Sequence, residues 1–180
     1  AKLVADLLTV SGATRVMTMD IHAGQIQGYF DIPVDNLHAA PILIDYIKNN
    51  LFDLETVFVS PDAGGVERVR HFARKLKADI AMVDKRRTGK NVAKAMNVVG
   101  NVSGKKCIIV DDMIDTAGTL IEAVTALRAE GATEVHACAT HPILSDPACK
   151  RIQDCNDLTS VIVTDTIQIT KEVESIEKIK

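Results

Sequence analysis

The chain has 180 residues, 47% hydrophobic and 25% charged, a balance that suits one globular domain with part of a second. A formal charge of −3 argues against a nucleic-acid partner, and 3% aromatic residues with no Trp argues against a base-stacking platform. The four cysteines form no Cys-x-x-Cys pair, no apolar run approaches membrane-helix length and no secretory leader shows, so the expectation is a cytoplasmic protein with no membrane partner.

Taken in order, residues 1–10 carry Leu3, Val4, Leu7 and Leu8 on one helical face, with no capping residue ahead of Ala1; this helix reads as cut rather than begun. A strand over 15–19 runs into Asp20-Ile21-His22. A carboxylate and an imidazole two apart at a strand end can share a ligand, and a capping Asp with a surface His explains them equally well. Residues 25–30 form a short amphipathic stretch, and 31–36 a turn or extended link, because Pro33 biases Ile32 away from helix. The expected domain boundary falls here, dividing the chain into 1–36 and 37–180.

Residues 39–50 read as a helix and 56–60 as a strand. Pro61-Asp62-Ala63-Gly64-Gly65 is then a strand-end turn whose two glycines allow close backbone approach; Asp62 either points at a ligand or closes the turn. A helix over 67–76 carries Arg and Lys on its outer face, and a strand over 79–83 follows. Asp84-Lys85-Arg86-Arg87-Thr88-Gly89-Lys90-Asn91 has four cations and no apolar anchor, which reads as a mobile loop: a solvated basic turn, or a lid that carries cations to a polyphosphate. Residues 95–99 are expected to form an edge strand.

The run from Cys107 to Thr119 is the most informative. Cys107-Ile108-Ile109-Val110 is a short apolar strand, and Leu120, Ile121, Val124 and Leu127 recur at helical spacing. Between them lie Asp111, Asp112, Asp115, Thr116, Ala117, Gly118 and Thr119. Backbone N–H groups at a helix start, with two hydroxyls, suit a phosphate. Asp111 and Asp112 would repel that phosphate, so they suit sugar hydroxyls or a cation; the combination points to a sugar phosphate, against the plainer reading of a capped strand-to-helix turn. Beyond it come a helix over 118–130, strands over 134–140 and 158–163, a short helix over 148–154, and a tail over 167–180 without assignable pattern. Strands alternating with helices imply an α/β fold with a mostly parallel sheet flanked by helices. The loops at Asp62, Lys85, Asp111 and His141 would then share one side of the sheet.

The segment from Val110 to Thr119 resembles the PRPP loop of type I phosphoribosyl proteins. The stretch from Thr18 to Leu37, together with Ser60-Pro61-Asp62-Ala63-Gly64-Gly65 and Asp84-Lys85-Arg86-Arg87, is similar to the ribose-phosphate pyrophosphokinase family in the same order. The resemblance spans the whole chain and implies a phosphoribosyltransferase type I-like fold. It implies transfer of pyrophosphate from Mg-ATP to the C1 hydroxyl of ribose 5-phosphate, giving PRPP and AMP. By the same resemblance, residues 115–119 hold the 5-phosphate and Asp111 and Asp112 the ribose hydroxyls. His22 and Asp62 are magnesium or Mg-ATP ligands, with Asp20, Asp31 and Asp35 in the metal segment, and Lys85 and Arg87 are catalytic cations. ATP, ribose 5-phosphate and a homo-oligomeric partner are implied too. Family members are much longer, so residues 1–36 would be the tail end of an N-terminal phosphoribosyl-like domain and 37–180 an incomplete C-terminal one. A phosphoribosyltransferase consuming PRPP, or a non-catalytic regulatory subunit or inactive fragment, are the alternatives.

Overall fold

The structure, a computed structural model, describes residues 1–86 and 95–180. It divides into two compact units, residues 1–41 and 42–180.

In the first unit, helix α1 (Lys2–Val10) precedes strand β1 (Val16–Met19), a 3₁₀ turn (Gly24–Tyr29) and strand β2 (Val34–Leu37). β1 and β2 pair in parallel, Val16 opposite Val34 and Met19 opposite Leu37. The extended link expected over 31–36 is thus partly a strand: Pro33 lacks a donor, but its carbonyl accepts from Val16 N–H at 2.9 Å and opens the ladder. α1 buries only Ala5, while Leu3, Val4, Leu7 and Leu8 are exposed.

The second unit is built on a six-stranded sheet. Its strands are β3 (Thr56–Ser60), β4 (Asp79–Arg86), β5 (Ala95–Val99), β6 (Lys106–Ile114), β7 (Glu134–Pro142) and β8 (Ser160–Val163), in the order β5-β4-β3-β6-β7-β8. All neighbours are parallel except β5, which runs antiparallel to β4 at the edge. Because side chains alternate along a strand, β3 and β6 supply both faces. Val57, Val59, Cys107 and Ile109 pack with Leu120, Val124 and Leu127 of α4 (Gly118–Ala129) and Ile152 of α5 (Ala148–Asp154). On the opposite face Phe58 meets Phe72 of α3 (Val66–Leu76), ring centroids 5.9 Å apart. Helix α2 (Ala40–Asn50) buries Leu43 and Ile47. Helices thus cover both faces of a largely parallel sheet, and the central strands are uniformly buried, as a double cover requires.

Three elements run longer than the sequence suggests. β4 continues through Asp84, Lys85 and Arg86, which pair with Asn97, Met96 and Ala95, so these residues are strand where a loop is expected. The antiparallel partner supplies the ladder that three polar residues could not signal alone. The remainder of that expected loop, including Arg87, lies outside the described residues. β6 continues through both acids to Ile114, with Asp111 opposite Ala139 and Met113 opposite His141. The unassigned tail folds back through a short helix α6 (Lys171–Glu174) and pairs beside β8. There Lys180 N–H donates to Val161 O at 2.8 Å and Val163 N–H to Lys180 O at 3.0 Å, and Ile176 and Ile179 enter the core. Among the described residues, no helix is long and apolar enough to cross a membrane.

Candidate functional site

Parallel pairing of β4-β3-β6-β7 brings the loops after Ser60, Ile114 and Pro142, and the end of β4, to one side of the sheet, as expected of a ligand-binding edge. At its centre stand the two acids of β6. Asp112 is 2% exposed, and its neighbour Asp111 is partly open to solvent. Arg68, one turn into α3, reaches both: its Nη1 lies 3.2 Å from Asp111 Oδ1 and its Nη2 3.4 Å from Asp112 Oδ1. The Asp112 N–H also donates to Asp111 Oδ1 at 2.9 Å. Burial, and then the side-chain hydrogen bond with Asp112, push the Asp111 carboxyl up to about 7, against the pull of Arg68. Among the described contacts, both carboxylates share the Arg68 guanidinium at the strand end.

Immediately after β6, Asp115 and Thr116 are exposed, and Ala117 adopts a left-handed backbone with φ +58° before α4 begins at Gly118. That conformation is unusual for a residue with a Cβ and persists only where the surroundings impose it. No side chain caps α4, whose first intrahelical bond runs from Ile121 N–H to Ala117 O. The N–H groups of Gly118, Thr119 and Leu120 precede that bond, and the partial positive charge of a helix start gathers there. Arg151 of α5 adds a guanidinium to the same loop, its Nη1 donating to Thr116 O at 2.8 Å.

The turn after β3 is self-contained. Ser60 Oγ–H donates to Asp62 O at 2.6 Å, and the Gly65 N–H donates to Asp62 Oδ1 at 3.0 Å. A Cβ on Gly65 would meet Ser60 Oγ at 2.7 Å, so glycine is required there by close approach. Asp62 therefore closes the turn, as one of its two readings had it, while its carboxylate stays exposed.

The remaining metal candidates, Asp20, His22, Asp31 and Asp35, lie in the first unit. Asp20 Oδ1 is 2.9 Å from His38 Nδ1, and its Oδ2 accepts from Ala39 N–H at 3.0 Å. Asp31 accepts from Lys2 at 2.7 Å, and Asp35 pairs with Arg15, which holds its carboxyl below the usual range. His22 follows β1 within the same unit. Among the described residues no three His, Cys, Asp or Glu side chains cluster as a metal site. The described residues therefore offer no preformed magnesium cage. A magnesium ion that keeps its waters and binds mainly through substrate phosphate needs only one or two carboxylates, and the exposed Asp62 fits that role.

The structure thus brings together Asp111, Asp112 and residues 115–119, with Asp62 on the same sheet edge. Lys85 sits in β4, which ends on that side. Arg68 and Arg151 are additions that the sequence did not yield. Arg68 reads as one of several outer-face cations of α3. Its position four residues before the buried Phe72 was the available signal, since it puts Arg68 on the flank of the buried stripe, away from Arg70 and Arg74.

A model of the phosphoribosyl transferase domain matches residues 33–176. The chain is 54% identical over 180 residues to a ribose-phosphate pyrophosphokinase of Caldanaerobacter subterraneus subsp. tengcongensis, covering all of this chain and 56% of that protein. It is 55% identical over 172 residues to ribose-phosphate pyrophosphokinase 1 of Listeria innocua, covering 96% of this chain and 54% of that protein. The chain therefore spans about half the length of the curated relatives it matches. Among solved structures, phosphoribosylpyrophosphate synthetase from Mycobacterium smegmatis superposes with a TM-score of 0.91 at 43% identity, over 99% of this chain and 57% of that one. Orotate phosphoribosyltransferase from Aeropyrum pernix superposes at 0.54 with 20% identity, covering 67% of this chain and 66% of that one, a likeness of fold alone.

Proposed function

Because the chain belongs to the phosphoribosyl transferase domain family, we propose that it is the ribose 5-phosphate-binding half of a ribose-phosphate pyrophosphokinase. The reaction moves the β,γ-pyrophosphoryl group of ATP to the C1 hydroxyl of ribose 5-phosphate. A bond forms between the C1 oxygen and the β-phosphorus, the bond from that phosphorus to the α–β bridging oxygen breaks, AMP leaves, and the C1 hydroxyl gives up its proton. The observation that carries the reading is the unbroken run from a buried acid pair to an uncapped helix start, Asp111 to Thr119. The identity of over half to named pyrophosphokinases favours making PRPP over consuming it.

In this reading each part of the site has one task. Asp111 and Asp112 accept hydrogen bonds from the ribose 2- and 3-hydroxyls, with Arg68 fixing their orientation. The N–H groups and hydroxyls of 115–119 hold the 5-phosphate, so the sugar is gripped at both ends and C1 is presented in one orientation. Phosphoryl transfer depends on such positioning and on charge neutralisation more than on covalent chemistry. Lys85 and Arg87 supply cations to the transferring group. Magnesium, when bound with ATP, neutralises the polyphosphate, and Asp62 is the residue of the second unit that would meet it. His22, Asp20, Asp31 and Asp35 enter the proposal as the metal segment of the first unit; the ion pairs of Asp31 and Asp35 weigh against direct ligation by those two. Homo-oligomeric assembly and a cytoplasmic location belong to the same proposal.

The test is to incubate the full-length polypeptide carrying this sequence with ATP, magnesium and ribose 5-phosphate, and to separate the nucleotides. AMP in step with PRPP is expected. ADP in place of AMP, nucleotide turnover indifferent to the sugar, or PRPP consumption that needs an added base would each refute the proposal.

A further inference from the structure

We propose that Arg151 is a positioning residue of the 115–119 cradle, acting as a lock on the peptide plane between Thr116 and Ala117. The inference deepens the reading above and rests on it. The relevant contact is the 2.8 Å hydrogen bond from Arg151 Nη1 to the carbonyl of Thr116. A trans peptide is planar, and its C=O and N–H point in opposite directions. Holding the Thr116 carbonyl toward α5 therefore fixes the Ala117 N–H to point away from α5. The orientation of that donor is set by a side chain 35 residues downstream that bonds the other end of the same plane.

A lock is needed because Ala117 is left-handed, at φ +58°, with no glycine to make that conformation easy. Rotation of the 116–117 plane would relax Ala117 toward negative φ and turn its N–H around, putting a carbonyl where the donor now lies on the side away from α5. A carbonyl facing an anion repels it. The lock itself is well founded. Ala148 and Ile152, on either side of Arg151, are fully buried, and Ile152 belongs to the main core. The far end of α5 is held by Lys178, whose Nζ donates to the carbonyls of Ile152, Gln153 and Cys155 at 3.2, 3.2 and 2.6 Å. Arg151 itself is exposed, so its removal opens no cavity. A Cβ on Gly118 would stand 3.4 Å from Arg151 Nη1, which places the guanidinium directly against the helix start.

The experiment uses the full-length polypeptide carrying this sequence and the variants Arg151→Ala and Arg151→Lys. Calorimetry measures the affinity for ribose 5-phosphate, and crystal structures of the unliganded proteins read the orientation of the 116–117 peptide plane. Arg151→Ala is expected to weaken binding about tenfold, the equivalent of about 1.4 kcal/mol, and to turn the plane, with Ala117 at negative φ, while β3 and β6 stay unchanged. Arg151→Lys keeps one donor and is expected to recover part of the affinity and the parent plane. A turned plane without loss of affinity would overturn the inference, because the plane would then not matter to the ligand. Lost affinity with the plane unmoved would overturn it too, because Arg151 would then act on the phosphate directly. A wild-type chain that does not bind ribose 5-phosphate at all refutes the underlying reading, and the inference falls with it.

Discussion

Replacing Arg68 by Met removes the only guanidinium paired with the acids of β6 among the described contacts, while keeping an apolar stem of similar length. Breaking a buried ion pair by deleting one partner costs about 3–5 kcal/mol. Arg68 and Asp111 are each about a third open to solvent, so water offsets part of this, and a loss of roughly 2–3 kcal/mol is expected at pH 8. The loss should depend on pH, with a sign that follows from the acids. Asp111, pushed up to about 7, binds a proton more readily in the folded chain than in the unfolded one. Its contribution to stability therefore falls as pH rises from about 4 toward 7. Removing the cation raises the folded value further and extends that fall to higher pH. At pH 5 the pair is already partly protonated, and the same substitution should cost about 1 kcal/mol or less. The assay is urea unfolding followed by far-UV circular dichroism at both pH values, since the chain has no Trp to report by fluorescence. An equal loss at pH 5 and pH 8 would show that Arg68 acts through packing and would refute the electrostatic account.

Two further outcomes follow from the same geometry. Ribose 5-phosphate affinity should rise as pH passes upward through about 7, because sugar hydroxyls donate best to ionised acids, and Asp111→Asn should flatten that rise in a calorimetric pH series. Gly100→Ala places a Cβ 2.9 Å from Ala81 Cβ and from Ile80 O at φ +113°, costing about 3 kcal/mol, or roughly 6–12 °C in a melting experiment; a variant that melts like the parent would refute the steric argument.

Much of this was legible in the sequence because the informative signals are local. Apolar β-branched runs mark β3 and β6, and helical spacing of Leu120, Val124 and Leu127 marks α4. The acids and hydroxyls of 111–119 announce themselves because such residues are out of place between a buried strand and a helix. What escaped is nonlocal. Asp111 and Asp112 read as turn because aspartate disfavours strands, yet β7 continues the ladder beside them and Arg68 offsets their charge. The tail shows no period because its order comes from pairing Ile179 with Val161, contacts that no window of neighbouring residues contains. Arg151 is one more exposed helical cation until the carbonyl of Thr116 is seen beside it.

The strand order has a consequence for how the candidate site is assembled. β3 and β6 lie side by side at the centre of the sheet, yet Val57 pairs with Cys107, about fifty residues later, across the insertion of α3, β4 and β5. Closing so long a loop costs entropy before any contact rewards it, so the β3–β6 pairing is expected to be a late event in folding. The acid pair reaches Arg68 only once that pairing exists, because α3 is carried by β3 and the acids by β6. If the proposed function holds, sugar-phosphate binding is expected to appear last during refolding, and a ligand present at that stage would act as a clamp on the completed sheet, pulling slow folders through to the native state.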